Sequence, residues 1–335
     1  MTHLFSSDIL VNKFYDKEVL ILRVSFFIMN RKDKSDGLLA LTAQNICDNV
    51  FMYRNTVLER KDIMICNVVC IQTYPFLCDK AKNINKMIEL LEKAVSEKPD
   101  TQLVVFPELA TTGYECGEKF KELAEVIDDK SETVQAFSNV ALKHNIHIIL
   151  GMAERDANAS EILYNSQLFI SNKGKIIGTY RKIHLFDTEK DWFTAGTEYK
   201  VFDTEIGRIG LFICYDASFP EVSRILAIKG AELLVHSTNW NKPDDYDMDM
   251  YVSVRALENT VYIACCNRIG KDKSLDFFGH TRIIDPTGRI ISEIRGEVEG
   301  YTFASLDYGR INKLKENGYT MLSERRPELY KSICE

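Results

Sequence analysis

The pattern of apolar and polar positions changes at about residue 62. Up to that point the composition is mixed and the periodicity is weak. Residues 63–71 then form a continuous apolar run, which is typical of a buried strand, and residues 81–95 place their apolar side chains on one face of a helix. The next short apolar run covers residues 103–106. A strand, an amphipathic helix and a second strand in this order indicate a sheet covered by helices.

Short apolar runs and helical segments continue to alternate along the rest of the chain. Further helices are predicted at residues 134–142, 219–228 and 250–259. Further strands are predicted at residues 146–150 (ending at Gly151), 164–170, 175–180, 208–213, 231–236, 261–267, 278–285, 289–294 and 301–306. The pattern predicts an α/β domain over residues 62–335. It is preceded by an N-terminal extension, residues 1–61, to which no function is assigned.

Cys214 lies at the sharp turn between the strand at 208–213 and the helix at 219–228. Pro220 suits the first helical position, because its ring presets φ and its missing N–H has no partner there in any helix. A cysteine at the start of a helix meets backbone N–H groups and partial positive charge, which lower the pKa of a thiol and favour nucleophilic attack. The alternative is a buried structural thiol, because free cysteine is among the most buried residue types.

Glu108 follows the strand at 103–106. A carboxylate at the end of a buried strand is poorly solvated, so its pKa is expected to rise toward the range of a general base. The alternative is a glutamate on a surface loop. Lys182 lies among β-type residues, an arrangement that directs an ammonium group inward toward an anion; the alternative is a lysine on an edge strand.

Two histidines and one further glutamate are additional candidates. His184 shares a face with Lys182 if the strand continues, and Glu189 follows in an acidic turn, as either a solvated or a site carboxylate. His236 ends a strand that is expected to run parallel to the strand before Cys214, so both side chains emerge at the same sheet edge. A Cys–His pair is therefore an alternative to a site made of glutamate, lysine and cysteine.

Composition and charge narrow the class of partner. The chain has 335 residues, 45% of them hydrophobic, and a formal net charge of −7 with no long run of lysine or arginine. Neither nucleic acid nor an acidic membrane surface is therefore expected as a partner, which leaves a small molecule. The most apolar early run, residues 19–29, is too short to cross a bilayer, and acidic residues precede it, so no export signal is predicted.

The nine cysteines are scattered, odd in number and free of zinc-ligand spacing. They argue against a disulfide framework and against a metal site, and they favour a cytoplasmic protein. Two known cysteine mechanisms are also excluded. An α/β-hydrolase elbow needs glycines where this chain has Phe212 and Asp216, and the motif of papain-like proteases is absent.

Three segments, in this chain order, resemble the nitrilase superfamily of carbon–nitrogen hydrolases, and within it the amidase-type branch. They are Phe106-Pro107-Glu108 with Thr112-Gly113-Tyr114, the segment Tyr180-Arg181-Lys182-Ile183-His184-Leu185-Phe186, and Cys214-Tyr215-Asp216 with Phe219-Pro220-Glu221. The resemblance covers about residues 62–330. It implies a four-layer α-β-β-α sandwich that assembles as a homodimer or a larger homo-oligomer.

The resemblance also implies a reaction and roles for named residues. Cys214 would attack the carbon of a small amide and form a thioester, Glu108 would act as the base, and Lys182 would stabilise the oxyanion together with the backbone N–H of Tyr215. Glu189 would be a second carboxylate. No cofactor is implied. The expected pocket residues are Tyr114, His184, His236, Thr238, Asn239 and Trp240.

Several other activities remain open at this level. Nitrile hydrolysis and amide-dependent acyl transfer would use the same residues, and a non-catalytic binding protein could share the fold. A redox cysteine would usually need a resolving cysteine, and none is identifiable from the sequence. Within the amides, no residue decides among ω-amides of 2-oxo acids, N-carbamoyl amines and aliphatic amides.

Overall fold

The structure, a computed structural model, describes residues 64–334, all of which belong to one compact unit. The predicted extension at 1–61 lies outside the described residues. The strands are β1 (Ile65–Gln72), β2 (Leu103–Val105), β3 (His147–Arg155), β4 (Leu163–Ile170), β5 (Ile176–Arg181), β6 (Val201–Thr204), β7 (Gly207–Ile213), β8 (Leu233–Thr238), β9 (Tyr262–Asn267), β10 (Ile269–Lys271), β11 (Asp276–Phe278), β12 (Arg282–Ile284), β13 (Ile290–Glu293) and β14 (Gly300–Asp307). The helices are α1 (Lys80–Glu97), α2 (Phe120–Leu123), α3 (Glu132–His144), α4 (Pro220–Ile228), α5 (Asp245–Asn259) and α6 (Gly309–Glu316).

Twelve of these strands form two six-stranded sheets. The spatial order is β14-β1-β2-β3-β4-β5 in the first sheet and β13-β12-β9-β8-β7-β6 in the second. The three central strands of each sheet are parallel, and the outer strands are antiparallel to their neighbours. Parallel neighbours need a long crossover, and α1, α3, α4 and α5 lie in these connections.

Alternating side chains along the strands build three apolar layers. The outer face of the first sheet packs against α1 and α3, through residues that include Val69, Ile71, Val104, Met87 and Phe137. The inner faces of the two sheets pack against each other, through residues that include Val68, Leu103, Ile149, Leu211 and Val235. The outer face of the second sheet packs against α4 and α5, through residues that include Leu234, Ile263, Leu226 and Val252. This arrangement confirms the predicted four-layer α-β-β-α sandwich.

Local sequence signals set several helix ends. The hydroxyl of Ser131 accepts a hydrogen bond from the N–H of Val134 at 3.1 Å and caps α3. Helix α3 ends at Asn145, whose left-handed φ of 54° is tolerated by asparagine better than by most residues. Pro220 occupies the first turn of α4, as predicted for the helix after Cys214.

Two strand predictions need correction. The strand at 146–150 does not end at Gly151 but continues to Arg155 as β3. The predicted strand at 278–285 is divided, because Gly279 and His280 adopt positive φ angles of 80° and 59° between β11 and β12. Within residues 64–334, every helix is too short or too polar to cross a lipid bilayer.

Candidate active site

Glu108 lies three residues beyond the end of β2, with its carboxylate fully buried. One carboxylate oxygen, Oε1, accepts hydrogen bonds from Asn165 Nδ2 at 2.6 Å and from Lys182 Nζ at 2.8 Å. The other oxygen, Oε2, has no hydrogen-bond partner among the described residues. Glu108 is therefore held by one oxygen, while the other is available to accept a proton.

Lys182 is the first residue after β5, and its ammonium group joins two buried carboxylates. Its Nζ lies 2.8 Å from Glu108 Oε1 and 2.7 Å from Glu189 Oε1. Glu189 Oε1 also accepts a hydrogen bond from the hydroxyl of Tyr114 at 2.7 Å. The alternative of an exposed edge-strand lysine does not hold, because the side chain of Lys182 is 0% exposed.

Burial raises the pKa of Glu108 to about 7, since a carboxylate loses its hydration inside the protein. The positive charge of Lys182 partly opposes this rise, and the negative charge of Glu189 adds to it. Burial alone would lower the pKa of Lys182, but the two carboxylates outweigh that effect and hold it well above its usual value. The lysine therefore stays protonated while Glu108 exchanges a proton near neutrality.

Cys214 begins a short 3₁₀ turn, Cys214–Ser218, between β7 and α4. Its φ is +46°, a left-handed conformation that costs energy for a residue with a side chain. The buried carboxylate of Asp216 holds this turn, because Oδ2 accepts hydrogen bonds from the N–H of Ile213 at 3.0 Å and the hydroxyl of Tyr180 at 2.8 Å. The backbone thus stays in the strained conformation that turns the thiol toward the site.

The prediction that the helix end lowers the pKa of the Cys214 thiol is wrong. Burial raises this pKa, and the negative charges of Glu108 and Glu189 add to the rise. The positive charge of Lys182 and the hydroxyl of Thr238 act in the opposite direction but do not compensate. The resting group is therefore a neutral thiol, which needs a base before it can attack.

His236 is buried under this turn, and burial lowers its pKa to about 4. Its Nε2 lies 3.0 Å from the backbone carbonyl oxygen of Cys214, and its Nδ1 lies 3.2 Å from the sulfur of Cys265. The strands before Cys214 and His236 are parallel, as predicted. The ring nevertheless bonds the backbone of Cys214 rather than its thiol, so the geometry does not support the alternative of a Cys–His pair.

The placement of His184 also needs correction. Strand β5 ends at Arg181, before Lys182, so Lys182 and His184 do not alternate along a strand. Its Nδ1 lies 2.8 Å from Asp216 Oδ1, and its ring stacks on Phe219 with the centroids 3.7 Å apart. His184 therefore supports the turn at Cys214 and does not form a pocket wall.

Cys214 lies in the wall of a cavity of about 210 Å³. The lining residues are Tyr114, Phe186, Cys214, Tyr215, Ser218, Asn239, Trp240, Asn241, Asp244, Asp247 and Tyr251. Of the six predicted pocket residues, Tyr114, Asn239 and Trp240 line this cavity, whereas His184, His236 and Thr238 do not. Thr238 is fully buried at the end of β8, where its hydroxyl opposes the rise in the pKa of the Cys214 thiol.

Other site residues were not identified from the sequence. Asn165 begins a run of three polar residues inside the buried strand β4, and such a run is a signal for inward hydrogen bonds. Asp244, Asp247 and Tyr251 follow a spacing of three and four residues, which places them on one face of α5 and its N-terminal turn. Gly151 is not a strand end: a Cβ there would lie 2.6 Å from Glu108 Cα, so the glycine makes room for this segment.

Among residues 64–334, no group of three or more histidine, cysteine, aspartate or glutamate side chains is arranged to hold a metal ion. What the site does contain is a thiol, a carboxylate that titrates near neutrality and a permanent ammonium group. These are the components of nucleophilic catalysis with a separate base and a fixed positive charge.

Comparisons with known proteins agree with this chemistry. The sequence profile of the family described as carbon–nitrogen hydrolase matches residues 67–316. A probable nitrilase, C965.09 of Schizosaccharomyces pombe, is 41% identical over 270 residues, which are 81% of this chain and 99% of that protein. The 2-oxoglutaramate amidase of Bacillus subtilis is 33% identical over 253 residues, which are 75% of this chain and 93% of that protein.

A solved structure shows the same fold. The crystal structure of Saccharomyces cerevisiae Nit3, a member of branch 10 of the nitrilase superfamily, matches with a TM-score of 0.72 and 31% identity. The match covers 76% of this chain and 94% of that chain. The profile, the relatives and the fold agree with the three motifs that carry Glu108, Lys182 and Cys214, and the chain therefore belongs to the carbon–nitrogen hydrolase family of the nitrilase superfamily.

Proposed function

We propose that this protein hydrolyses the C–N bond of a small linear amide through a thioester on Cys214. The observation that carries the proposal is the buried pair of Glu108 and Lys182, 2.8 Å apart, whose charges both act on the thiol of Cys214. Cys214 in turn lines a cavity large enough for a small ligand. The relative named 2-oxoglutaramate amidase supports an amide substrate, and the relative named probable nitrilase makes nitrile hydrolysis the alternative on the same residues.

In the first half-reaction, the sulfur of Cys214 attacks the amide carbon while Glu108 takes the thiol proton on its unpartnered oxygen, Oε2. The resulting tetrahedral intermediate then collapses. Glu108 gives the proton to the amide nitrogen, the C–N bond breaks, ammonia or an amine leaves, and the acyl group remains on Cys214 as a thioester. Because the resting thiol is neutral, this proton transfer must accompany the attack.

Two groups can stabilise the negative charge on the carbonyl oxygen. Lys182 is a permanent cation held by Glu108 and Glu189. Tyr215 is the second residue of a 3₁₀ turn, where a backbone N–H has no partner within the turn. Donors of this kind typically contribute about 3–4 kcal/mol each to the transition state.

In the second half-reaction, water attacks the thioester carbon while Glu108 takes a proton from the water. The C–S bond breaks, the carboxylic acid leaves, and the proton returns to the sulfur of Cys214. Glu189 fixes Lys182 through both half-reactions. Its second oxygen accepts a hydrogen bond from the N–H of Phe186 at 3.1 Å, so its position does not depend on the lysine alone.

Trapping the acyl-enzyme tests this proposal. The protein is mixed with each member of a panel of aliphatic amides, quenched in acid and weighed intact by mass spectrometry, and released ammonia is measured in parallel. We expect a mass increase equal to the acyl group, located on the peptide that contains Cys214. An adduct on another residue, or turnover of the corresponding nitriles without turnover of the amides, would contradict the proposal.

Substitution of Lys182 and of His236 distinguishes the two candidate mechanisms. Lys182→Ala is expected to lower the rate of thioester formation by about 10²–10³-fold, because it removes an oxyanion donor. His236→Ala is expected to cost less than about tenfold, because this ring bonds the backbone oxygen of Cys214 and the sulfur of Cys265 but not the thiol of Cys214. Rapid-quench measurement gives the rate of acylation for each variant. The reverse order of effects would support a Cys–His pair.

The pH dependence of kcat/KM follows from the pKa of Glu108. Only the deprotonated form of Glu108 can act as a base, so activity is present above its pKa of about 7 and is lost as the pH falls through that value. Below that pH, kcat/KM should fall about tenfold for each pH unit. Lys182 should add no loss just above neutrality, because its pKa is raised. A profile measured with a neutral amide, flat from pH 5 to 8, would be inconsistent with Glu108 as the base.

Gly151 is expected to be a positioning residue for Glu108. A Cβ at Gly151 would lie 2.5 Å from the carbonyl oxygen of Pro107 and 2.6 Å from Glu108 Cα, so the backbone must shift. Gly151→Ala should lower kcat/KM by about 10–100-fold and move the acid limb of the pH profile. Gly300→Ala is the matched control, because its added methyl group meets nothing within 4 Å. Equal activity of the two variants would refute this role.

A further inference from the structure

The charged side chains in the lining of the cavity are all acidic. Asp244 and Asp247 line it, and among its lining residues there is no lysine, arginine or histidine. Neither aspartate side chain forms a hydrogen bond or ion pair with another residue of the described chain. The cation of the proposed catalytic site, the ammonium group of Lys182, is already paired with both Glu108 and Glu189. A substrate carboxylate would therefore meet like charges and no unpaired cation in this part of the chain.

Aromatic side chains complete the wall next to these aspartates. Asp247 and Tyr251 lie one turn apart on α5, so they share a face of the helix. The ring of Trp240 lies 5.9 Å from that of Tyr251, centroid to centroid. The faces of tryptophan and tyrosine rings attract cations, and this attraction adds to that of carboxylates. The guanidinium of Arg255 already lies 5.7 Å from the centroid of the Tyr251 ring, so Trp240 offers the open ring face. The combination is typical of a site for an ammonium group.

Asn239 provides independent evidence that the cavity holds a polar ligand. Its side chain lines the cavity and is only 3% exposed. Neither its Nδ2 nor its Oδ1 has a hydrogen-bond partner among the described residues. A buried amide without partners is costly, so both atoms are expected to bond a ligand or water in the cavity.

From these observations we propose that the preferred substrate is a small linear amide or carbamoyl compound whose far end carries a protonated amine. This proposal rests on the function proposed above. The carbonyl end meets Cys214, and the ammonium end lies among Asp244, Asp247 and the rings of Trp240 and Tyr251. An ω-amide of a 2-oxo acid carries the opposite charge at that end and is a poor substrate for this chain.

Three amides of equal length test the charge preference. They are 6-aminohexanamide, which is cationic, heptanamide, which is neutral, and the monoamide of adipic acid, which is anionic. We expect kcat/KM to be highest for the cationic amide, about tenfold above the neutral one, with the anionic amide lowest. The preference should shrink as salt is added, because salt screens the exposed aspartates.

Charge-neutral variants locate the preference. The double variant Asp244→Asn, Asp247→Asn should bring the cationic and neutral amides within about twofold of each other, mainly by raising KM for the cation. Asp245→Asn is the control, because it removes one aspartate charge from the same turn but outside the cavity lining, and it is compared with each single variant, Asp244→Asn and Asp247→Asn. An unchanged preference in the double variant, or a loss of equal size in the control, would overturn the proposal.

The outcomes also separate this inference from the function on which it rests. If the amides are hydrolysed through Cys214 but the neutral or anionic one is preferred, the cationic substrate class is wrong and the amidase function stands. If none of the three amides releases ammonia or leaves an acyl group on Cys214, both proposals fail.

A second feature lies outside the proposed mechanism. The sulfur atoms of Cys78 and Cys116 are 2.6 Å apart, closer than a non-bonded contact between two sulfur atoms. The backbone N–H of Cys78 donates to the carbonyl oxygen of Thr112 at 2.7 Å, and the thiol of Cys116 lies 3.2 Å from the same oxygen. The two cysteines therefore belong to segments that are already tied together. No such pair was identifiable from the sequence, since 38 positions separate the two.

We infer that Cys78 and Cys116 are a site of reversible oxidation. Cys78 is half-buried and meets the oxidant, and Cys116 is the buried resolving thiol. With a hydroperoxide, the O–O bond breaks, Cys78 becomes a sulfenic acid, and an alcohol, or water from hydrogen peroxide, is released. The sulfur of Cys116 then attacks the sulfur of Cys78, and the sulfenic hydroxyl leaves with the thiol proton of Cys116 as water, which gives one disulfide. With a low-molecular-weight disulfide, thiol exchange gives the same bond and two released thiols.

The test uses the Cys214→Ala protein, so that the nucleophile proposed above cannot react. After treatment with hydrogen peroxide or oxidised glutathione, remaining thiols are alkylated and the peptides are analysed by mass spectrometry. We expect a linked pair of peptides that contain Cys78 and Cys116, reversed by dithiothreitol, and a Tm several degrees above that of the reduced protein. Cys78→Ser in the same background should show neither change. Full alkylation of both thiols after excess oxidant would overturn the inference.

Discussion

Cys214→Ala is expected to abolish turnover, lowering kcat by at least about 10⁴-fold, because no other group can form the thioester. The substitution removes only the sulfur from a buried position, so the fold should persist. Ammonia release measures turnover, and circular dichroism with thermal unfolding measures folding. Intact mass spectrometry should show no acyl adduct with any amide.

Cys66→Ala is the matched control for this variant. Cys66 is also fully buried, in the apolar layer between the two sheets, but lies in β1 and does not line the cavity. Its removal should leave kcat/KM within about threefold of the wild-type value, because a small core change far from the site mainly affects stability. Persistent hydrolysis by the folded Cys214→Ala protein would end the proposed mechanism.

Glu108→Gln is expected to lower kcat/KM by about 10³-fold. Glutamine keeps the size of the side chain and an oxygen for Lys182 and Asn165, but it cannot take a proton from the thiol of Cys214. Because that thiol is neutral at rest, the loss of the base stops the attack. The acid limb of the pH profile, which reports the pKa of Glu108, should disappear together with the activity.

Two other glutamates serve as comparisons for Glu108→Gln. Glu189→Gln should keep an acid limb but move it to lower pH, because the charge of Glu189 raises the pKa of Glu108. Glu154→Gln controls for the loss of a buried carboxylate, since Glu154 pairs with Arg181 and does not line the cavity. An acid limb near pH 7 that persisted in Glu108→Gln would show that another group is the base.

The members of the site were predictable because each follows a recognisable local pattern. Cys214 comes directly after a short apolar run and Glu108 comes two residues after another, and Pro220 marks the start of the helix that follows Cys214. The strands before Glu108 and Cys214, β2 and β7, belong to different sheets, so the packing of the two sheets, and not pairing within one of them, brings Glu108 close to Cys214. Lys182 follows β5, an antiparallel strand, and its role was inferred from the motif around it rather than from topology.

The wrong predictions share one cause. Each concerns a property that is set by residues distant in sequence. The thiol of Cys214 was expected to have a lowered pKa from its own helix, but burial by both sheets and the charges of Glu108 and Glu189 raise it. His184 was placed on a strand that ends early. Gly151 was read as a strand end, but its missing side chain makes room for the backbone at Pro107 and Glu108.

The sequence alone determined the α/β class, the order of most strands and helices, the family motifs and the identity of the candidate base, cation and nucleophile, but it did not predict β6, β10, α2 or α6. The class and the element order follow from periodicity and turn chemistry, which are properties of neighbouring residues, and the residue roles follow from the resemblance of the motifs to the family. Only the tertiary structure decided the protonation states, the acidic and aromatic lining of the cavity and the contact between Cys78 and Cys116. Desolvation and Coulomb interactions depend on what surrounds a group in space, and folding brings those surroundings from remote parts of the chain.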